Sequence, residues 1–169
     1  MDITQLILED HHEQRRLFAM LEQVGSDVPA LTAIWSRLSK HMEAHVQGEE
    51  EIFYPELLKS GRNANGGNSA ADETLDAIKD HNEIRDGMVA VSAQAVGTEA
   101  WFAAVKQVNE ANSDHMGEEE REGLTDFRRA APLDLRHALA VRFAAFEASH
   151  VGGVTTVDKD PAQYVSTNG

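Results

Sequence analysis

The sequence predicts an all-α protein: an antiparallel up-down four-helix bundle with an additional C-terminal fifth helix and a short irregular tail. Three observations predict it. Apolar residues recur at three- and four-residue steps through four long segments. No useful length of chain alternates apolar and polar residues as a half-buried strand does. The connections between the long segments are short, which favours antiparallel neighbours. With 169 residues and 41% hydrophobic composition the chain suits one domain with a real core. The bundle is expected over residues 1–150 and the tail over 151–169.

The first helix is expected from Ile3 to Val24, on the period of Ile3, Leu6, Ile7, Leu17, Phe18, Leu21 and Val24. Four residues on from Ile7 stands His11, and seven further stands Phe18, so His11 lies on the buried stripe. His12 lies one step round, nearer the flank. Gly25 closes the helix. Asp27 can cap the next one, and Pro29 suits its first turn.

That second helix is expected from Pro29 to Leu58. Its face reads Leu31, Ile34, Leu38, His41, His45, Glu49, Ile52 and Phe53. Polar groups replace apolar ones in mid-stripe, at a cost unless they are bonded or ligated. Pro55 should distort the helix locally. Lys59 to Asn68, rich in glycine and asparagine, reads as a mobile loop.

Ser69 with Asp72 resembles a capping box opening a third helix, Ala70 to Ala95. Leu75, Ile78, His81, Arg85 and Met88, with Val91 or Val96, form its face. Thr98 caps a fourth helix, whose stripe runs Trp101, Val105, Val108, Asn112, His115 and Glu119 toward Phe127. Pro132 marks a new start. Leu135, Leu139, Phe143 and Phe146 make the fifth helix, packed across one end or one side of the bundle. Gly152–Gly153 ends it. Val154 to Gly169 shows no period and is expected to be extended or partly disordered.

Composition narrows the chemistry. There is no cysteine, which excludes disulfides and thiolate sites. A formal charge of −14 argues against long-range attraction to nucleic acid or an anionic membrane. No apolar run is long enough to span a membrane, and no secretory signal is evident. The default expectation is a cytoplasmic protein, monomer or homodimer.

His45 with Glu49, and His115 with Glu119, are pairs four residues apart, so each projects from one helix face. Imidazole plus carboxylate suits iron, zinc or manganese. One histidine in an apolar stripe is more often a satisfied core residue than a ligand. Here His11, His45, His81 and His115, with Glu49 and Glu119, would all sit unpaired in one core. Two metals bridged by two carboxylates, with terminal imidazoles, would satisfy all six. His12 and His41 remain ambiguous, as does the choice between Glu119 and Glu120. His137 and His150 are expected to be surface or packing residues.

The pattern resembles the hemerythrin-like, or HHE cation-binding, family of non-haem di-iron proteins, of the bacterial type. The resemblance covers roughly Ile3 to Arg129. It rests on Asp10–His11, on His45–x3–Glu49 running into Glu50–Glu51–Ile52–Phe53–Tyr54–Pro55, on Asp80–His81, and on His115–x3–Glu119. The resemblance implies two non-haem iron ions with a bridging oxo or hydroxo group. Glu49 and Glu119 would be the bridges, His11 and His45 would serve one iron, and His81 and His115 the other.

One position departs from the oxygen carriers. They have a further histidine one turn after the position of His81, where this chain has Arg85, a guanidinium that stays charged. Water, substrate or a phenolate would take the vacant place, and Tyr54 is the candidate phenolate. An open or phenolate-filled position suits chemistry on a small oxidant better than dioxygen carriage. The leading expectation is therefore catalase-like decomposition of hydrogen peroxide. The alternatives are reversible binding or sensing of dioxygen or nitric oxide, and iron sequestration.

Overall fold

In the computed structural model the described residues are 1–60 and 69–169. The chain begins with α1 (Ile3–Gln23) and α2 (Val28–Gly48). Asp2 caps α1 by accepting from the Thr4 N–H, and Asp27 caps α2 by accepting from the Ala30 N–H. Such a cap is typically worth about 1 kcal/mol. A five-residue π-helical segment, Glu49–Phe53, carries α2 without a break into α3 (Tyr54–Ser60). Then come α4 (Ala70–Ser92), capped by Ser69, and α5 (Glu99–Arg121), capped by Thr98. The short α6 (Gly123–Ala130), α7 (Leu133–Ser149) and α8 (Pro161–Asn168) complete the order.

The expected bundle is the observed one. α1 packs on α2, α4 on α5, and the pairs close through α1–α5 and α2–α4. α7, the expected fifth helix, lies along one side against α1, α2 and the π segment. Gly48 permits this, because a Cβ there would meet the Phe143 ring at 3.0 Å.

Two apolar clusters fill the interior. One contains Ile3, Ile7, Phe53, Phe127, Leu139 and Phe143; the other contains Leu17, Leu38, Met42, Ile84, Trp101 and Val108. Each of the four histidines expected to face inward falls between an apolar residue of one cluster and one of the other. A polar layer is thereby sandwiched across the bundle. Among the described residues no helix is long and apolar enough to cross a membrane.

Four details differ from expectation. The distortion ascribed to Pro55 lies before it. Proline has no N–H to offer the Glu51 carbonyl, and the Tyr54 N–H reaches back five residues to the Glu49 carbonyl. The fourth helix is interrupted at Glu122, where φ −112° and ψ −80° leave the helical region, and restarts as α6. On α4, Leu75 is 36% exposed, while Thr74 and Ala77 take the inward positions beside Ile78. Last, the tail is irregular only as far as Asp160. Asp160 accepts from the Gln163 N–H and Pro161 opens α8, which packs on α4 with Tyr164 buried. One apolar anchor is too little to create a visible period. Ser60 closes α3, and the rest of the expected mobile loop, 61–68, lies outside the described residues.

Candidate metal centre

The six side chains singled out from sequence meet in the polar layer. His11 comes from α1, His45 from α2, Glu49 from the π segment, His81 from α4, and His115 and Glu119 from α5. All six are at most 6% exposed.

Their inner atoms converge. The Glu49 carboxylate stands between the histidine pairs: Oε1 is 3.0 Å from His45 Nε2 and 4.0 Å from His11 Nε2, and Oε2 is 3.3 Å from His81 Nε2. His81 Nε2 faces His115 Nε2 at 3.0 Å. Glu119 Oε2 is 3.2 Å from His11 Nε2. One ligand atom each from His11, His45 and Glu49 lie within 4.8 Å of one another, and the same holds for Glu49, His81 and His115. Glu49 belongs to both trios.

The outer imidazole nitrogens each face a carboxylate. His11 Nδ1 is 2.9 Å from Glu120, His45 Nδ1 3.2 Å from Asp10, and His81 Nδ1 3.0 Å from Glu50. His115 Nδ1 is 3.6 Å from Asp80, beyond hydrogen-bond reach. An outer carboxylate puts the proton on Nδ1 and leaves the Nε2 lone pair directed inward, which prepares a histidine to ligate.

Sequence reasoning did not foresee this outer role for two of these carboxylates. Glu50 and Glu120 sit in acidic runs that read as solvated surface. In the fold, the Glu50 side chain is fully buried and also receives Arg85 at 2.6 Å and Lys159. Glu120 also receives Arg15 at 2.7 Å. No sequence signal separates Glu50 from Glu51, because the π turn decides which one faces inward. Asp10 and Asp80 carried a signal, since each directly precedes an inward histidine. Each nevertheless faces a histidine on another helix, and only Asp10 comes within hydrogen-bond reach of it.

Arg85 occupies the position flagged as a departure, and its guanidinium is bound to Glu50 and Asn82. The Tyr54 hydroxyl is turned inward and donates to Glu119 Oε1 at 2.8 Å. A regular helix would have pointed it away from Glu49, and the π turn supplies the extra rotation. Of the ambiguous residues, His12 is exposed, His41 is half-buried near Asp10, and Glu120 lies outside the layer. His137 is exposed and His150 half-buried, as expected of surface or packing residues.

Burial and charge compete here. Burial opposes a charge on His45, but Glu49 and Asp10 outweigh it and hold the imidazole well above its ordinary pKa. His11 and His81 are raised by their carboxylates against the same opposition. Burial would also raise Glu49, but His45 and His81 hold it well below the usual range. Burial, and then the charges of Glu119 and Glu49, push the Tyr54 phenol well up, so it stays a donor.

The residues fit a cation. His11 Nε2, His45 Nε2, both oxygens of Glu49 and Glu119 Oε2 are buried and lack a hydrogen-bond partner. They stand close together but are not aligned for hydrogen bonding. A buried polar atom left this way costs about 1–3 kcal/mol, and more for a charged group. Ligation answers all five at once. A small cavity of about 30 Å³, room for about one water, reaches His115, Glu119 and Tyr54 between Glu73, Asp76 and Asp80.

Fold and site together define an all-α protein with a buried histidine–carboxylate cation centre. The family described as Hemerythrin HHE cation binding domain matches residues 2–125, and the chain belongs to that family. The match takes in all six converging side chains and leaves α7 and α8 outside. No curated protein and no solved structure matches the chain. Family and cluster together make it a non-haem iron-binding protein.

Proposed function

We propose that the centre holds two iron ions sharing an oxo or hydroxo bridge, and that the protein decomposes hydrogen peroxide to water and dioxygen. Glu49 and Glu119 would span the pair, with His11 and His45 on one ion and His81 and His115 on the other. Supporting this division, Glu49 is common to two otherwise separate ligand trios. The pair would supply Lewis acidity and a store of two electrons.

The chain's own residues do the rest. Asp10, Glu50 and Glu120 hold three imidazoles with Nε2 inward. Phe143 stands edge-on to His45 at 6.0 Å and screens that side from water. The Tyr54 hydroxyl keeps a proton at Glu119 Oε1, beside the cavity that reaches the centre. The cavity is small, about 30 Å³.

The observation that carries the catalytic reading is Arg85. Its guanidinium is committed to Glu50 at 2.6 Å, so the side of the centre served by His81 gains no third imidazole. That leaves a place for a small oxidant. The iron-loaded protein should evolve dioxygen from hydrogen peroxide, and His45→Ala should abolish most of it. Equal evolution from both proteins would overturn the reading.

Reversible capture of dioxygen or nitric oxide is the second reading, favoured by the small size of the cavity. An adduct formed in air and released under vacuum, without turnover of peroxide, would establish it instead.

A further inference from the structure

A second group of potential ligands lies outside the central layer. His41 of α2, Asp10 of α1 and Glu147 of α7 each present one ligand atom, all within 4.8 Å of one another. His41 Nε2 is 3.7 Å from Asp10 Oδ1. His41 Nε2 and Glu147 Oε1 are both buried and without a hydrogen-bond partner. The trio lies beside a surface cavity of about 670 Å³, which His41 and Glu147 line with Ala44 and Ala144.

The geometry points to a further divalent-cation site at His41, Asp10 and Glu147, of the zinc type, separate from the pair at the bundle centre. One imidazole and two carboxylates are a borderline-cation donor set. Three protein ligands leave the fourth position to water from the cavity, the arrangement of open rather than closed zinc sites.

The alternative occupant of this space is a proton shared between Glu147 and Asp10. Burial, and then the Asp10 charge, push the Glu147 carboxyl up to about 8. A shared proton satisfies the two acids but leaves His41 Nε2 without a partner, whereas a cation satisfies all three. The neighbouring charges do not fill the site. Arg37 is held by Glu13 at 2.6 Å. Lys40 lines the cavity and, among the described residues, makes no ion pair with the trio.

Asp10 is the link between the two centres. Its Oδ2 faces His45 Nδ1 at 3.2 Å, and its Oδ1 faces His41. A cation on the outer side would share the carboxylate that orients a histidine of the inner centre.

The test titrates zinc into the iron-loaded protein and counts both metals after desalting. One further zinc per chain should bind while iron content stays constant. His41→Ala and Glu147→Gln should each weaken that binding about tenfold or more, and His137→Ala, at an exposed histidine, should not. Circular dichroism confirms that each variant is folded. The proposal fails if no further zinc binds, if zinc replaces iron mole for mole, or if both trio variants bind zinc like the parent. Zinc is the readout, so this result is independent of any activity toward peroxide.

Discussion

The Tyr54 hydroxyl donates to Glu119 across the bundle at 2.8 Å, joining the end of the π turn to α5 inside the polar layer. Tyr54→Phe removes that donor and leaves a buried carboxylate oxygen unpaired. The expected loss is about 1–3 kcal/mol of stability in the metal-free protein, measured by urea unfolding. If the phenol reaches iron in the loaded protein, its charge-transfer band disappears in the same variant.

Pro55 is the reason Tyr54 points inward. Pro55→Ala restores an N–H that can bond the Glu51 carbonyl and allows the π turn to relax to α. Tyr54 should then rotate away from Glu119. The expected outcome is unchanged helix content by circular dichroism, but weaker iron retention during dialysis against a chelator, by about tenfold.

Glu50 gathers His81, Arg85 and Lys159. Burial alone would raise its pKa, but these partners lower it to about 2. Its stabilisation is therefore present above pH 4.5 and lost as pH falls toward 2. Glu50→Ala leaves the Arg85 guanidinium, only 6% exposed, without its counter-charge. Breaking such a pair costs about 3–5 kcal/mol. Thermal unfolding across pH should show the variant less stable at pH 7, and the gap to the parent narrowing below pH 4.

Glu73 behaves in the opposite sense. It is buried with both oxygens unpartnered, and burial, then Asp126, Glu122 and Asp72, raise it to about 7. A raised folded pKa means that its favourable contribution is complete below pH 4.5 and is lost as pH rises through 7. Glu73→Gln should stabilise the protein at pH 8, on the order of 1 kcal/mol, and change little at pH 4. Unfolding midpoints at the two pH values check this.

Metal removal should expose the cost of the layer. With His11, His45, Glu49 and Glu119 atoms left unsatisfied, chelation should lower the melting temperature. The loss should shrink in His45→Ala, where one metal ligand is already gone. Calorimetry with and without chelator measures both.

Much of this was legible in one dimension. His11, His45, His81 and His115 each occupy a stripe position whose neighbours three to four residues away are apolar, so their inward direction follows from helix period alone. The caps at Asp27, Ser69 and Thr98 were legible for the same local reason. The tail was not, because α8 is held by contacts with α4 and by Tyr164 donating to the Glu50 carbonyl, over a hundred residues away in sequence.

By itself, then, the sequence determined the long bundle helices, most of their inward faces and the six side chains that share the polar layer. All of these depend on spacings within a few residues. The tertiary structure alone decided which partner each group found. Asp10 orients His45 rather than the adjacent His11, Glu50 turns inward while Glu51 does not, and His41 meets Glu147 from α7. A helix's period says which way a side chain points, but only packing between helices, and here one π turn, sets what it meets.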